Sequence, residues 1–423
     1  MGISLDTIKK NPGYSVHIVK TAQYKTNTLV LKMKAPLKHE TATYRSLLPY
    51  ILQSNTATYK STPLLRSYLD ELYGASFYVD VAKKGEYQII SFVLEIANEK
   101  FLHNSEPLLE KGIAFLADVL FNPNKDGESF DVATFNNEKR SLQQRIQSIY
   151  DDKMRYATTR LVEVMCDDEP YGIDASGDVE SLGSITKESL YSYYKKALLE
   201  DEMDVYVIGD TNEVEVHKLI DQHFKLPNRE PVRMKSEQKK VSEVKEKIEE
   251  MDVKQGKLNI GYRTHIVYGD PEYYALQVFN GIFGGFSHSK LFINVREKAS
   301  LAYYAASRLE SHKGLLMVMS GIESANYDQA VNIIHEQMND MKQGNFTDEE
   351  LSQTKAVIKN QLLETVDSAR GLVEILYHNV VSGYAVSLEE WLKKTEAITK
   401  EEIVSVAQKV ELDTIYFMKG TEV

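Results

Sequence analysis

Hydrophobic positions along the chain change period repeatedly, and each change marks an element. Tyr14–Thr21 and Thr28–Met33 are rich in β-branched residues and predict strands. Tyr78–Ala82 and Tyr87–Ile96 alternate between apolar and polar positions and predict two more. Leu109, Ile113, Leu116 and Leu120 recur at helical spacing, as do Val132, Phe135, Leu142, Ile146 and Ile149. Thr186 opens a helix over Ile185–Ala197, and Val205–Ile208 predicts a short strand after it.

The same order then recurs. Tyr44–Tyr50 answers to Tyr274–Asn280, Leu64-Leu65 to Leu291-Phe292, Lys84-Gly85 to Lys313-Gly314, and Ile185–Glu188 to Ile398–Glu401. Each half closes on a strand, Met203–Asp210 and Asp413–Gly420. Spacings that drift only by loop lengths predict one internal duplication rather than a solenoid. Between the halves, Asn228–Gly256 is charged and poor in apolar residues. It reads as a solvated linker grading into the next strand, with a long surface helix as the alternative. The expected organisation is an N-terminal α+β domain (1–227), a charged linker (228–256) and a C-terminal α+β domain (257–423). The fold class is α+β. Each half is a mostly antiparallel sheet with helices packed on one face, because the apolar stripe of each helix needs a sheet to cover.

Charge and composition narrow the function. The net charge of −12 disfavours nucleic acid and anionic membrane surfaces as partners. A single cysteine, Cys166, excludes an internal disulfide framework. The opening MGISLDTIKKNPGYS lacks the apolar core of a signal peptide, and Asp6 breaks the myristoylation pattern. No apolar run approaches the roughly 18 residues that span a bilayer. A cytoplasmic chain is expected. No G-x-S-x-G elbow or P-loop is present. Cys166 lies beside Asp167, Asp168 and Glu169, whose charges raise a thiol pKa, so it is a poor nucleophile. The acidic cluster itself reads as a solvated loop.

Two stretches carry a resemblance. Asn280–Ser307, NGIFGGFSHSKLFINVREKASLAYYAAS, has a glycine-rich turn followed by Leu-Phe, Arg-Glu-Lys and Leu-Ala-Tyr. Thr41–Thr56, TATYRSLLPYILQSNT, precedes the helix-rich part of the first half. Together they resemble the pitrilysin/insulinase family of zinc peptidases, which includes mitochondrial processing peptidase. The resemblance covers most of the chain. It implies two homologous halves with the mitochondrial processing peptidase-like, or LuxS-like, fold closing around a peptide chamber. In active members the helix at Thr41–Thr56 carries His-x-x-Glu-His, with two zinc-binding imidazoles and a general base. Here those places read Ser46, Leu47, Leu48, Pro49 and Tyr50. Pro49 cannot act as a base, and it should make the helix kink or start late. The family's third ligand, a glutamate, falls on Arg145; a slipped alignment would offer Glu138 or Glu128 instead. No two of the ten histidines are four apart, so no helical histidine pair exists.

What the resemblance leaves is a second set of residues. Arg296 and Tyr303 fall at the family's Arg and Tyr positions, which reach the substrate. The tyrosine can donate to the developing oxyanion and the arginine can fix peptide carbonyls. Gly284 and Gly285 supply backbone freedom at the turn next to substrate. On the residues alone, Arg296 could instead sit in a surface ion pair and Tyr303 in a strand-face core. The resemblance therefore implies a non-catalytic, peptide-binding subunit. It would lack its own cofactor and supply Arg296 and Tyr303 to a partner chain that carries His-x-x-Glu-His and zinc, as a heterodimer or, failing that, a homodimer. The alternatives are a peptide-binding or scaffold protein with no protease partner, and an active zinc peptidase with an unrecognised metal site.

Overall fold

The computed structural model describes residues 7–11, 13–103, 106–234 and 239–421. Asp6, and residues 235–238 of the charged stretch, lie outside the described residues. The chain divides into two compact units. One comprises Met1–Ser148, Ile173–Met234 and Ser368–Val373; the other comprises Ile149–Gly172, Lys235–Asp367 and Glu374–Val423.

The first unit is built on strands β1 (Thr7–Lys10), β2 (Ser15–Lys20), β3 (Thr26–Pro36), β4 (Ser76–Lys84), β5 (Tyr87–Ala97) and, after a small hairpin of β6 (Lys125–Asp126) and β7 (Ser129–Phe130), β8 (Glu202–Gly209). Their order is β1-β2-β8-β3-β5-β4, antiparallel except for the β2–β8 pair. Helices α1 (His39–Ser54), α2 (Thr62–Glu71), α3 (Leu108–Phe121) and α4 (Val132–Asp151) come from the first stretch of the chain. The core forms because Leu29, Leu31 and Met33 on β3 and Ile90, Phe92 and Leu94 on β5 alternate onto one face. There they meet Leu47, Leu48 and Ile51 of α1 and Ile113 and Leu116 of α3. Each such side chain, fully buried, contributes about 1.5–3 kcal/mol.

Helix α1 starts at His39 and runs through Pro49 to Ser54, so the expected late start does not occur. Proline removes one N–H, whose helical acceptor would be the Arg45 carbonyl. Burial of the residues on both sides, Leu47, Leu48, Ile51 and Leu52, holds the helix across that gap. Arg45 itself is fully buried. Its guanidinium donates to Asp201 (2.5 Å) and to the carbonyls of Met33 (2.9 Å) and Gln88 (3.3 Å). Burial alone would lower its pKa; the Asp201 carboxylate overcomes that and holds it above the ordinary arginine value, so the group stays charged.

Helix α5 (Lys153–Met165) belongs to the second unit, although it precedes α6 (Val179–Ser184), α7 (Lys187–Glu200) and α8 (Glu213–His223) of the first. The second unit's sheet contains β9 (Lys245–Met251), β10 (Gly256–Arg263), β11 (Ala302–Glu310), β12 (Leu315–Ile322) and β13 (Glu411–Gly420). Its order is β11-β12-β10-β13-β9, with only β9–β13 parallel. Reading β9, β13, β10, β12 and β11 against β2, β8, β3, β5 and β4 gives the same order with the parallel pair in the same place. β9 occupies the latter part of the charged stretch as an edge strand, and no helix occurs among the described residues of that stretch. Its exposed charges suit an edge. Helices α9 (Tyr273–Asn280), α10 (Tyr327–Gln343), α11 (Asp348–Val366), α12 (Ala369–Ser382), α13 (Leu388–Ala397) and α14 (Lys400–Lys409) follow β10.

One face of this sheet, with Leu316, Val318, Ile415 and Phe417, packs with residues of α9, α10 and α14. The other face, with Leu315, Met317, Tyr416 and Met418, takes Ala157, Leu161 and Met165 of α5. Contact is close enough that a Cβ on Gly261 of β10 would lie 2.6 Å from the Met165 sulfur. The end of α5 is tied down by charge. Arg263 bonds Glu169 (2.5 and 3.0 Å), Asp413 (2.8 Å) and the Met165 carbonyl (3.1 Å), and Lys313 reaches Glu169 at 2.6 Å.

Burial would raise the Glu169 pKa, but hydrogen bonds from Arg263 and Lys313 outweigh it and hold the carboxyl below its ordinary value. Its contribution is therefore complete above the ordinary glutamate pKa and is lost as pH falls through the lower, folded value. Glu169→Gln should destabilise the second unit by about 3 kcal/mol at neutral pH, because it leaves buried cations short of an anion. It should also flatten the acid limb of the stability curve. Trp391, the only tryptophan, lies in that unit's core and reports its urea unfolding. An unchanged midpoint with an unchanged acid limb would contradict the assignment.

Candidate functional site

Two groups of residues were singled out by sequence, and each lies within one unit. In the first unit, α1 and α4 bring the degenerate metal positions together. Ser46 is buried on α1, one residue after Arg45. Pro49 is buried on the same helix and Tyr50 is half-buried. Arg145 comes from α4, and its guanidinium carbon lies 3.7 Å from the centroid of the Tyr50 ring, a close cation–π contact. Positions ninety-five residues apart in sequence, paired by the resemblance, thus touch. Of the two carboxylates that a slipped alignment would offer, Glu138 accepts from Ser54 (2.8 Å) on α1, and Glu128 pairs with Lys195 away at the small hairpin.

This donor set does not fit zinc. A site of the family's kind needs imidazole nitrogens and a carboxylate around an open coordination position. Here the ligand positions offer a hydroxyl, a phenol and a fixed cation, and the cation would repel the metal. Among the described residues, no group of three or more His, Cys, Asp or Glu side chains is gathered closely enough to hold a metal ion.

In the second unit, α9 runs into a π-helical turn over Gly281–Gly285, and a second π-helical turn covers Phe292–Lys298. Neither Gly284 nor Gly285 has a positive φ. The sequence reading assigned these glycines to backbone freedom; their requirement is closeness instead. A Cβ on Gly284 would lie 2.5 Å from Ser307 Oγ on β11 and 2.7 Å from Leu291. Arg296 is exposed and its guanidinium carbon sits 4.5 Å from the Phe292 ring centroid. Tyr303, on β11, is 79% exposed rather than packed into the core. It lies where the β11–β12 register shifts, between Ala302 and Ala305, and β11 is an edge strand. A bulge at an edge re-aims a side chain away from the sheet.

Sequence reasoning missed a cleft of about 420 Å³ in the same unit. Gln277, Asn280, Gly285, Phe286, Ser307 and Trp391 contribute to its lining. Asn280 accepts from Ser307 (2.7 Å), and Gln277 accepts from the Trp391 indole (3.0 Å). The signal was two amides inside the otherwise apolar run YYALQVFN. Also missed was the stacked pair His312 and His378, whose ring nitrogens are 2.7 Å apart; they are far apart in sequence, so spacing could not reveal them. Cys166 is buried, and its thiol is pushed up to about 12, by burial first and the Glu169 charge second.

The chain is 52% identical over 415 residues to a probable inactive metalloprotease, YmfF, of Bacillus subtilis (strain 168). The match covers 98% of this chain and 97% of that one. The chain belongs to the M16, or pitrilysin, peptidase family. The sequence profile of the peptidase M16 inactive domain matches residues 184–358, which include the π-helical turns, Arg296 and Tyr303. The crystal structure of a conserved protein from Enterococcus faecalis V583 superposes with a TM-score of 0.92 at 37% identity, covering 99% of both chains. A protease from Helicobacter pylori superposes with a TM-score of 0.82 at 16% identity over 98% of each chain, which shows the shared fold. The chain is thus a metalloprotease-like M16 member with an α+β fold whose motif positions are unfit for zinc. No described helix is long and apolar enough to cross a membrane.

The donor chemistry predicts the metal content. The purified chain should carry far less than one zinc per molecule by elemental analysis, and chelation should change neither that content nor its unfolding. About one zinc per chain, removed by chelator together with a peptidase activity, would contradict the geometry.

Proposed function

We propose that this M16 chain is the non-catalytic, peptide-binding subunit of a two-subunit zinc peptidase. Its partner would carry His-x-x-Glu-His and the zinc, and this chain would contribute Arg296 and Tyr303 to the partner's site. The observation that carries the reading is the exposure of Tyr303. A phenol 79% exposed at a register shift in an edge strand stabilises nothing by burial in its own unit, yet it keeps the family's spacing from an arginine that is also exposed. The first unit meanwhile presents Ser46, Pro49, Tyr50 and Arg145 where catalysis would need ligands and a base. In this reading the chain arose by internal duplication, which the matching strand orders support, and works in the cytoplasm on peptides without a cofactor of its own.

The chemistry of the partnership is specific. A metal-polarised peptide carbonyl becomes an oxyanion in the transition state, and one well-placed donor to it is worth roughly 3 kcal/mol, about a hundredfold in rate. Tyr303→Phe removes only the hydroxyl. It should lower kcat of the reconstituted complex by about that factor while assembly by gel filtration is unchanged. Arg296→Ala should also raise KM, because a positioning contact acts in the ground state too. If Tyr303→Phe leaves kcat within about twofold in an assembled complex, the pair is not catalytic and a scaffold role replaces this one.

A further inference from the structure

Among the described residues, Arg145 is a cation without an anionic partner. No carboxylate among the described residues forms an ion pair with it, and its side chain makes no hydrogen bond to any of them. Its Nη2 is buried without an acceptor. The side chain is half-buried, so part of it remains open to solvent. The guanidinium carbon lies 3.7 Å from the Tyr50 ring centroid, and Glu138, two turns back on α4, accepts from Ser54. Burying a charged donor without an acceptor is unfavourable, and in native proteins such a group is completed by water, an ion or a ligand. A ring contact restrains a guanidinium without occupying the nitrogens that face away from the ring. Such nitrogens are charged donors that suit a carboxylate oxygen.

We propose that Arg145, backed by Tyr50, is a carboxylate-recognition site that takes the carboxylate of a bound peptide, either its C-terminus or an acidic side chain. The first unit then reads an anion at the motif positions. A carboxylate oxygen meets the guanidinium on the part of the half-buried side chain that stays open to solvent. This deepens the peptide-binding reading and rests on it.

The test is calorimetric titration of the full chain with three capped tripeptides: acetyl-Ala-Ala-Ala with a free C-terminus, the same peptide as its amide, and acetyl-Ala-Glu-Ala amide. A terminal site binds the free acid at least about tenfold more tightly than the amide; a side-chain site gives that advantage to the glutamate peptide. In either case Arg145→Gln abolishes the preference, Arg145→Lys keeps part of it because a positive charge remains, and Tyr50→Phe retains it because the ring remains. Circular dichroism confirms that each variant is folded. Equal affinity for all three peptides, no binding of any, or a preference that survives Arg145→Gln overturns the proposal. Equal affinity leaves the peptide-binding role standing while the carboxylate site falls. A carboxylate preference beside an unchanged kcat in Tyr303→Phe leaves the site standing while the partnered role falls.

Discussion

The contact between Tyr50 and Arg145 is the interaction on which the account turns. It exists because α1 cannot rotate. Arg45 is buried at the helix centre and bonded to Asp201 and to two sheet carbonyls, so the residues beside it are fixed in direction. Removing either member of such a pair would leave an uncompensated buried charge at a cost of about 3–5 kcal/mol. With α1 locked, Ser46 and Tyr50 occupy set places, and α4 delivers Arg145 to the second of them. A metal site needs lone pairs converging on a point. This helix pair supplies a phenol ring and a guanidinium in cation–π contact, and the guanidinium excludes a divalent cation by charge.

Much of this was legible in the sequence. The recurring order of short motifs corresponds to matching hardware in the two units. Thr186 and Thr399 each cap a helix with a reciprocal capping box. Gly85 and Gly314 each turn a hairpin with positive φ, at 54° and 72°. Local chemistry of this kind repeats because the same backbone problem repeats. The placement of Arg145 opposite Tyr50 was legible as well, through the family's pattern.

Other features were not, and for physical reasons. Helix α5 carries an ordinary apolar stripe, and nothing in a stripe says which sheet will cover it; Gly261 and the Arg263–Glu169 cluster decide that from far along the chain. β9 reads as linker because an edge strand is made by backbone pairing, and its side chains stay charged. The length of α1 was underestimated because Pro49 weakens a helix locally, whereas burial over several turns sustains it. Arg45 escaped notice because a buried arginine is recognisable only by its partners, and Asp201 lies at the end of a different helix. The π-helical turns that position Phe292, Arg296 and Gly284 likewise depend on close packing against β11, which no window of sequence contains.

The two units thus carry unequal endowments: one holds a guanidinium against a ring where active family members carry ligands, and the other presents an arginine and a tyrosine to solvent. The division makes sense if the missing half of the chemistry resides on another chain. The most direct measurement is affinity purification of the tagged chain from its native cell, followed by sequencing of what accompanies it and zinc analysis of the complex. The account predicts one companion of the same family bearing His-x-x-Glu-His, about one zinc per pair, and peptidase activity that either chain alone lacks. A chain recovered without such a companion, or one that binds zinc and cleaves peptides unaided, would contradict it.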